Sequence, residues 1–240
     1  MVKLSVVIPV FNEEKRLLPT LKDVASYLEK QKYDWEVLVV NDGSTDGTAE
    51  LVRKFRIHHS NFRLLDNAKN QGKGAVVKQG MLEARGDWRL FMDGDNSTKI
   101  QEMDSFWFFI DDADVIIGSR YTEGSHIAEK QSFLRRFISR AGNIMSQIIL
   151  LPGIKDTQCG FKLFSARASK KIFPKQTLMR WSFDLEILAL ARLLKCKIKE
   201  VPISWENAEG SKLKGGLKVA WRTFRDLIKI RLNLLKHKYD

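Results

Sequence analysis

The first half of the chain alternates short apolar runs with segments of helical length and periodicity. The runs are rich in Val, Ile and Leu with few polar interruptions, which is typical of strands covered on both faces. We predict strands at 4–10, 36–41, 62–65, 89–93 and 115–118, separated by helices at 14–30, 46–55, 72–84 and 99–110. This repetition predicts an α/β fold with a mostly parallel, doubly wound sheet.

The second half is less regular. We predict a helix at 133–151, a strand at 161–164, a helix at 183–195, a strand at 198–203 and a basic helix after them. The chain has 240 residues, of which 44% are hydrophobic and 29% charged, as in folded globular proteins. We find no repeat or linker that would separate two independent domains.

The net charge of +12 at pH 7 indicates an anionic partner, which is nucleic acid, a phosphorylated substrate or an acidic membrane. The longest stretch without a charged residue, 141–154, is shorter than the roughly 18–20 apolar residues of a membrane span. We recognise no secretion signal and expect a cytoplasmic protein. Cys159 and Cys196 are expected to be reduced.

Polar clusters follow three of the predicted strands: Asn12-Glu13, Asp42-Gly43-Ser44 and Asp93-Gly94-Asp95. In sheets of this kind, ligands bind beyond the carboxyl ends of the strands. Asp93 and Asp95 suit a hard divalent cation that also binds diphosphate oxygens. An acidic turn without a metal is the alternative.

Two further loops are candidates for nucleotide recognition. Asp42 precedes a flexible Gly-rich loop and is a candidate for a hydrogen bond to a nucleobase, whereas we expect Asp46 to cap the next helix. The loop NQGKG at 70–74 opens a helix, so its amides and Lys73 can meet an anion. It matches neither a P-loop nor a dinucleotide fingerprint, since Val77 stands where the third Gly should be.

Basic residues follow the fifth predicted strand. Arg120 comes directly after it, and Arg135 and Ser139 are four residues apart on one face of the next predicted helix. A guanidinium and a hydroxyl so placed can converge on one phosphate. A solvated basic face is the alternative.

The last predicted helix has an apolar stripe beside a basic one. The apolar stripe is Leu217, Trp221, Phe224, Ile228, Leu232 and Leu235, and the basic residues one position on are Lys218, Arg222, Arg225 and Lys229. This pattern is typical of a helix that lies in a membrane interface. It equally suits a helix that packs on its own domain with the basic residues in water.

Together, the motifs VIPVFNEE (7–14), VNDGSTDG (40–47), NQGKG (70–74) and DGD (93–95) resemble those of the family 2 glycosyltransferases, which have the GT-A fold. GSRY (118–121) and LRRFISR (134–140) are similar to the polyprenyl-phosphate sugar synthases in that family. DTQCGFKLF (156–164), RWSFDLE (180–186) and EGSK (209–212) resemble the dolichyl-phosphate β-glucosyltransferases most.

The resemblance implies a role for each matching residue. Donor binding would fall to Pro9, Phe11, Glu13, Asp42, Lys73 and Asp93. Mg or Mn would be held by Asp93 and Asp95, with Ser97 where some relatives have a further ligand. The catalytic residues would be Asp95, Arg120, Arg135, Ser139 and Asp184. Arg120, Arg135 and Ser139 would bind the acceptor phosphate.

For Asp184 several roles stay open. With Glu186 it would contact sugar hydroxyls or complete the acceptor site, and it would be the general base if the acceptor were a sugar hydroxyl. Capping of the 183–195 helix is the structural alternative.

The resemblance also implies an activity, which is inverting transfer of a hexose to a dolichyl or polyprenyl phosphate. UDP-glucose is the favoured donor, and a GDP-mannose donor or a polysaccharide acceptor are the alternatives. A nucleic-acid-binding module is disfavoured because the chain lacks an RNP-like aromatic pattern, zinc ligands and a recognition helix.

The organisation implied is a GT-A domain at 1–210, with a nucleotide-sugar half at 1–118 and an acceptor half at 119–210. A basic amphipathic helix at 211–240 would attach the enzyme peripherally to the cytoplasmic face of a membrane.

Overall fold

The computed structural model describes residues 2–127, 142–206 and 217–239, with the backbone alone for 217–220. The strands are β1 Leu4–Val10, β2 Trp35–Asn41, β3 Phe62–Asp66, β4 Trp88–Met92, β5 Val115–Ser119, β6 His126–Ile127, β7 Phe161–Ser165, β8 Ile198–Pro202 and β9 Ser204–Trp205. The α-helices are α1 Leu17–Leu28, α2 Thr48–His58, α3 Lys73–Glu83, α4 Met103–Phe106, α5 at 142–149, α6 Ala166–Ile172, α7 Phe183–Leu193 and α8 Leu217–Leu235.

A seven-stranded sheet draws on both halves of the chain, in the order β3-β2-β1-β4-β7-β5-β8. Strand β1 pairs in parallel with β2 and β4, β2 with β3, and β5 with β8. Strand β7 is antiparallel to β4 and β5. The sheet is therefore mostly parallel, as the sequence predicts. The carboxyl ends of the adjacent strands β1, β2 and β4 share one edge.

Each face of the sheet has its own hydrophobic core, as alternating side chains of β1 show. Ile8 faces the core that includes α1 and α4, while Val7 faces the core that includes α3, α6, α7 and α8. A buried parallel strand needs apolar residues on both faces, which explains why β1 is almost entirely apolar, with Ser5 as its one polar residue. The doubly wound arrangement is thus confirmed.

The segment predicted as a helix at 99–110 is helical from 100 to 109, but it is not one regular α-helix. The segment forms a 3-10 turn Ile100–Glu102, the short α4, and a second 3-10 turn Trp107–Phe109. Its fully buried side chains, Ile100, Met103 and Phe106, are three residues apart. That spacing matches the three residues per turn of a 3-10 helix better than the 3.6 of an α-helix.

Three elements were not predicted, namely α6 and the two short strands β6 and β9, which pair with each other. Helix α6 follows β7 without a loop because Ser165 both ends the strand and accepts a hydrogen bond from the Ala168 amide. Of the predicted helix at 133–151, residues 133–141 lie outside the described part, and 142–149 are helical as predicted. No described helix is both long and apolar enough to cross a membrane.

Candidate active site

The candidate site lies where α3 and β7 meet the carboxyl end of β4. Asp93 follows β4, and its amide donates to the carbonyl of Gly160, just before β7 (3.0 Å). Lys73, the first residue of α3, has Nζ 2.6 Å from Asp93 Oδ1. A Cβ at Gly160 would lie 2.7 Å from that oxygen, so glycine leaves room here for the carboxylate.

A second ion pair lies near the first. Lys162 of β7 is fully buried and donates to Asp184 Oδ1 of α7 and to the Cys159 carbonyl, both at 2.5 Å. Burial raises the pKa of Asp184, while the charges of Lys162 and Lys73 oppose the rise. Burial would lower the pKa of Lys73, but Asp93 and Asp184 outweigh it and raise the pKa. We call Lys73, Asp93, Lys162 and Asp184 the four-charge cluster.

Asp93 and Asp95 offer hard oxygen ligands on one tight turn. The Ser97 amide donates to Asp95 Oδ1 (3.1 Å), and Thr20 of α1 donates to the Gly94 carbonyl (2.9 Å), so the turn is held from two sides. Among the described residues, no group of three or more acidic, cysteine or histidine side chains could hold a metal ion. Two carboxylates fit a Mg or Mn ion that takes its remaining ligands from water and diphosphate oxygens.

Asp42 is buried at the end of β2 and holds the loop that opens α3. Its carboxylate accepts hydrogen bonds from the Gln71 amide (2.6 Å), the Gly72 amide (3.0 Å) and the Asn70 side chain (2.8 Å). Burial raises the pKa of Asp42, and the two amides and the charge of Arg180 act in the opposite direction. The nucleobase role of Asp42 stays a prediction, and the structure gives this carboxylate a loop-ordering role as well.

The loops after β1 and β2 bind each other. The Asn12 amide donates to Ser44 Oγ (2.9 Å), and the Asn12 side chain accepts from the Thr45 amide (2.8 Å). These bonds give Asn12, Ser44 and Thr45 a structural role that does not require a ligand. Asp46 accepts from the amide of Thr48, the first residue of α2, although Gly47 occupies the N-cap position itself.

Three predicted donor-binding residues lie along the β1 edge. Pro9 is buried within β1, and Phe11 is exposed directly beyond it. The Glu13 carboxylate accepts from Arg16 Nε (2.8 Å) and Nη2 (2.7 Å). Their contacts with a donor stay predictions.

Arg120 follows β5, as expected, and its guanidinium already has a carboxylate partner. The fully buried Asp156 accepts from Arg120 Nε (2.7 Å), Nη2 (2.9 Å) and the backbone amide (3.0 Å). Burial would raise the pKa of Asp156, but Arg120 outweighs it and lowers the pKa. The guanidinium also lies 5.6 Å from the ring centroids of Tyr121 and Trp205. An acceptor phosphate bound here would share Arg120 with Asp156.

The Arg120–Asp156 pair and the four-charge cluster lie close to one buried thiol. Burial raises the pKa of Cys159 to about 12, and the nearby charges that act on it are those of Asp156, Arg120, Lys162 and Asp93. Both cysteines are free, as expected. Arg135 and Ser139 lie outside the described residues, so their proximity to this region stays a prediction.

Lys162 is the site residue that sequence reasoning missed. The sequence does contain an indication of this role, since a lysine between Phe161 and Leu163 in a buried apolar strand needs an oppositely charged partner. The partner is Asp184. Asp184 lies in the first turn of α7, just after the N-cap residue Ser182, and the hydrogen bond described for its carboxylate comes from Lys162 and not from a helix amide.

Comparison with known proteins gives a consistent family. The model of the family "Glycosyl transferase family 2" matches residues 5–173. The chain is 38% identical over 250 residues to a dolichyl-phosphate beta-glucosyltransferase of Trichomonas vaginalis, covering 98% of this chain and 74% of that protein. It is 37% identical over 255 residues to the dolichyl-phosphate beta-glucosyltransferase of Saccharomyces cerevisiae, covering 97% and 75%.

Solved structures share the fold at low identity. The glucosyl-3-phosphoglycerate synthase of Mycobacterium tuberculosis in complex with UDP has a TM-score of 0.64 at 17% identity, covering 97% of this chain and 79% of that one. The mannosyltransferase PcManGT of Pyrobaculum calidifontis in complex with GDP-Man and Mn²⁺ has a TM-score of 0.57 at 15% identity, covering 93% and 60%.

Replacing Lys162 by Met should destabilise the protein by about 3–5 kcal/mol, because it leaves the Asp184 carboxyl group buried without its charged hydrogen-bond partner. The double variant Lys162→Met/Asp184→Leu should recover part of that loss, since it removes both charges. Urea unfolding measures all three proteins, with Lys170→Met as a control on the exposed side of α6. A Lys162→Met variant as stable as the wild type would contradict the structural role of the pair.

Proposed function

Because the chain belongs to glycosyl transferase family 2, we propose that it transfers glucose from UDP-glucose to dolichyl phosphate or a related polyprenyl phosphate. The observation that carries this proposal is 38% identity, over 98% of the chain, to a dolichyl-phosphate beta-glucosyltransferase. The charged residues at the carboxyl end of β4 also support the proposal, since both substrates are phosphorylated and must be held near each other.

The donor half is residues 1–118 and the acceptor half 119–210. In the donor half, Asp42, Pro9, Phe11 and Glu13 surround the nucleoside, and Lys73 turns from Asp93 toward the diphosphate. Lys73 suits this task because its ammonium lies only 2.6 Å from Asp93, beside the proposed cation ligands.

Asp93 and Asp95 would hold Mg or Mn, with Ser97 as a weaker neighbour. Such an ion would neutralise charge on the departing nucleoside diphosphate. The support for a divalent cation is the oxygen donor set on the Asp93–Asp95 turn, together with Mn²⁺ in the PcManGT structure.

The acceptor phosphate attacks the anomeric carbon without a protein base. A phosphate monoester has a second pKa of about 6, so at neutral pH its oxygen is already largely deprotonated. Arg120, Arg135 and Ser139 orient it and offset the repulsion between two anionic substrates. Attack opposite the leaving UDP inverts the anomeric centre and gives a β-linked product. Asp184 is then not required as a general base, and its carboxylate pairs with Lys162.

Asp95→Ala should lower turnover by about 100-fold or more, because the lost cation contributes several kcal/mol of transition-state stabilisation. Arg135→Ala should mainly raise KM for the polyprenyl phosphate. Incubation with UDP-glucose, Mg or Mn and a polyprenyl phosphate, followed by mass spectrometry of the lipid, measures both. Exposed Asp112→Ala and Arg56→Ala are matched controls. Full activity of either test variant would remove that residue from its role.

The membrane-facing surface is the outer face of α8, which we define as Trp221, Ile228, Leu232 and Leu235. Trp221 is 68% and Leu235 62% exposed, while Leu227 and Ile230 on the inner side of the same helix are fully buried. The inner face of this helix packs on its own domain, and we assign contact with a membrane to the outer face. Exposed basic residues flank the outer face: Arg222, Arg225 and Lys229. Each such residue near an anionic leaflet contributes about 1 kcal/mol of attraction.

The double variant Trp221→Ser/Leu235→Ser should bind anionic vesicles at least about tenfold more weakly than the wild type, because it removes two large apolar side chains from the outer face of α8. Co-sedimentation with phosphatidylcholine vesicles, with and without phosphatidylserine, measures the binding. Ile57→Ser/Phe108→Ser is the control, since these side chains are 75% and 82% exposed on elements at the opposite face of the sheet. Equal loss in both variants would contradict a surface specific to α8.

A further inference from the structure

Residues 176–182, which we call the strap, lie against the loop that opens α3. The Ala75 amide donates to the Met179 carbonyl (3.1 Å), and the Gln176 side chain donates to the Gly74 carbonyl (2.9 Å). A Cβ at Gly74 would lie 2.6 Å from the Leu178 carbonyl oxygen. The strap is therefore in direct backbone contact with the loop assigned to the donor diphosphate.

The strap brings two side chains to donor-site residues. The ring centroid of Trp181 lies 5.1 Å from Lys73 Nζ, and its side chain is half exposed. Arg180 is exposed and close enough to Asp42 for its charge to act on that carboxylate. A nucleotide held between Asp42 and Lys73 would meet both side chains.

A buried carboxylate holds the start of the strap. Glu186 of α7 is fully buried, and it accepts hydrogen bonds from the Thr177 amide (2.9 Å), the Thr177 hydroxyl (2.6 Å) and the Leu178 amide (2.7 Å). Its fourth bond comes from the hydroxyl of Tyr239, at 2.7 Å. A carboxylate with this many donors fixes the two strap residues in one conformation.

Helix α8 and the residues after it hold both ends of the strap. Lys175, just before the strap, donates to the Tyr239 carbonyl (2.5 Å), and Ser182, at its end, donates to Asp226 Oδ2 of α8 (2.6 Å). Asn233 also donates to the Tyr239 hydroxyl (3.3 Å). The helix with the exposed apolar outer face thus contacts the strap through its inner face.

We propose that Glu186, Tyr239 and Asp226 are positioning residues that hold the strap, so that Arg180 and Trp181 close over the nucleotide diphosphate. The proposal rests on the proposed function. None of the three contacts the reacting atoms, so they act through the strap on donor binding. Loss of this positioning weakens the nucleotide in the ground state and the transition state alike, which raises KM for the donor and leaves kcat nearly unchanged.

Tyr239→Phe and Asp226→Leu test the proposal, because the first removes the hydroxyl that donates to Glu186 and the second removes the acceptor of the Ser182 hydrogen bond, while each keeps much of the shape of the side chain. Each should weaken UDP binding about tenfold, which is the expected cost of losing a hydrogen bond whose acceptor is a carboxylate. Calorimetric titration with UDP gives this affinity, and steady-state kinetics gives the separate effects on KM and kcat. Tyr33→Phe is the control, since Tyr33 packs on the opposite core.

Hydrogen exchange of the unliganded proteins gives a readout that does not depend on the donor. The amides of residues 177–182 should exchange faster in both variants, with β1 and β4 unchanged. Unaltered UDP affinity together with unaltered exchange in the strap would overturn the proposal. Failure of the wild type to bind UDP would overturn the proposed donor instead, and the exchange result alone would then decide whether Tyr239 and Asp226 hold the strap.

Discussion

The candidate site depends on charges that are buried together. Lys162 and Asp184 tie β7 to α7, and Lys73 and Asp93 tie α3 to β4. A lone charge at the Lys162 position would be strongly unfavourable, so the two elements must meet with their charges aligned. Asp93 is neutralised by Lys73 in the described structure. Under the proposed function, Lys73 would exchange this carboxylate for a phosphate oxygen of the donor, and the cation would then pair with Asp93.

The same geometry connects the donor site to the surface of the protein. Helix α8 buries Leu227 and Ile230 in the second core and exposes its apolar outer face on the other side. Asp226 of α8 accepts from Ser182 at the end of the strap, and Tyr239, beyond the helix, donates to Glu186, which holds the start of the strap. The strap in turn packs on the loop that opens α3. Under the proposed function the acceptor is lipid-linked, and the strap then links α8, with its exposed outer face, to the loop that opens α3.

Much of the sheet is predictable from sequence because buried parallel strands must be continuous apolar runs. The mixed α and 3-10 character of the 99–110 segment was not predictable, since a spacing of three residues between buried side chains occurs in both kinds of helix. The role of Lys162 was also hidden, because its partner Asp184 is 22 residues away along the chain. Arg120 suggested a basic surface, whereas Asp156, far from it in sequence, pairs with it in the fold.

The central claim is that the carboxyl end of β4 holds a divalent cation together with a nucleoside diphosphate. Titration of the protein with Mn²⁺, followed by electron paramagnetic resonance with and without UDP, tests it most directly. The Asp95→Ala variant corrects for Mn²⁺ that binds UDP in solution. We predict that UDP increases the affinity of the wild-type protein for Mn²⁺ about tenfold or more, since both ligands share one site. An affinity that is the same with and without UDP, or the same in Asp95→Ala as in the wild type, would contradict the account.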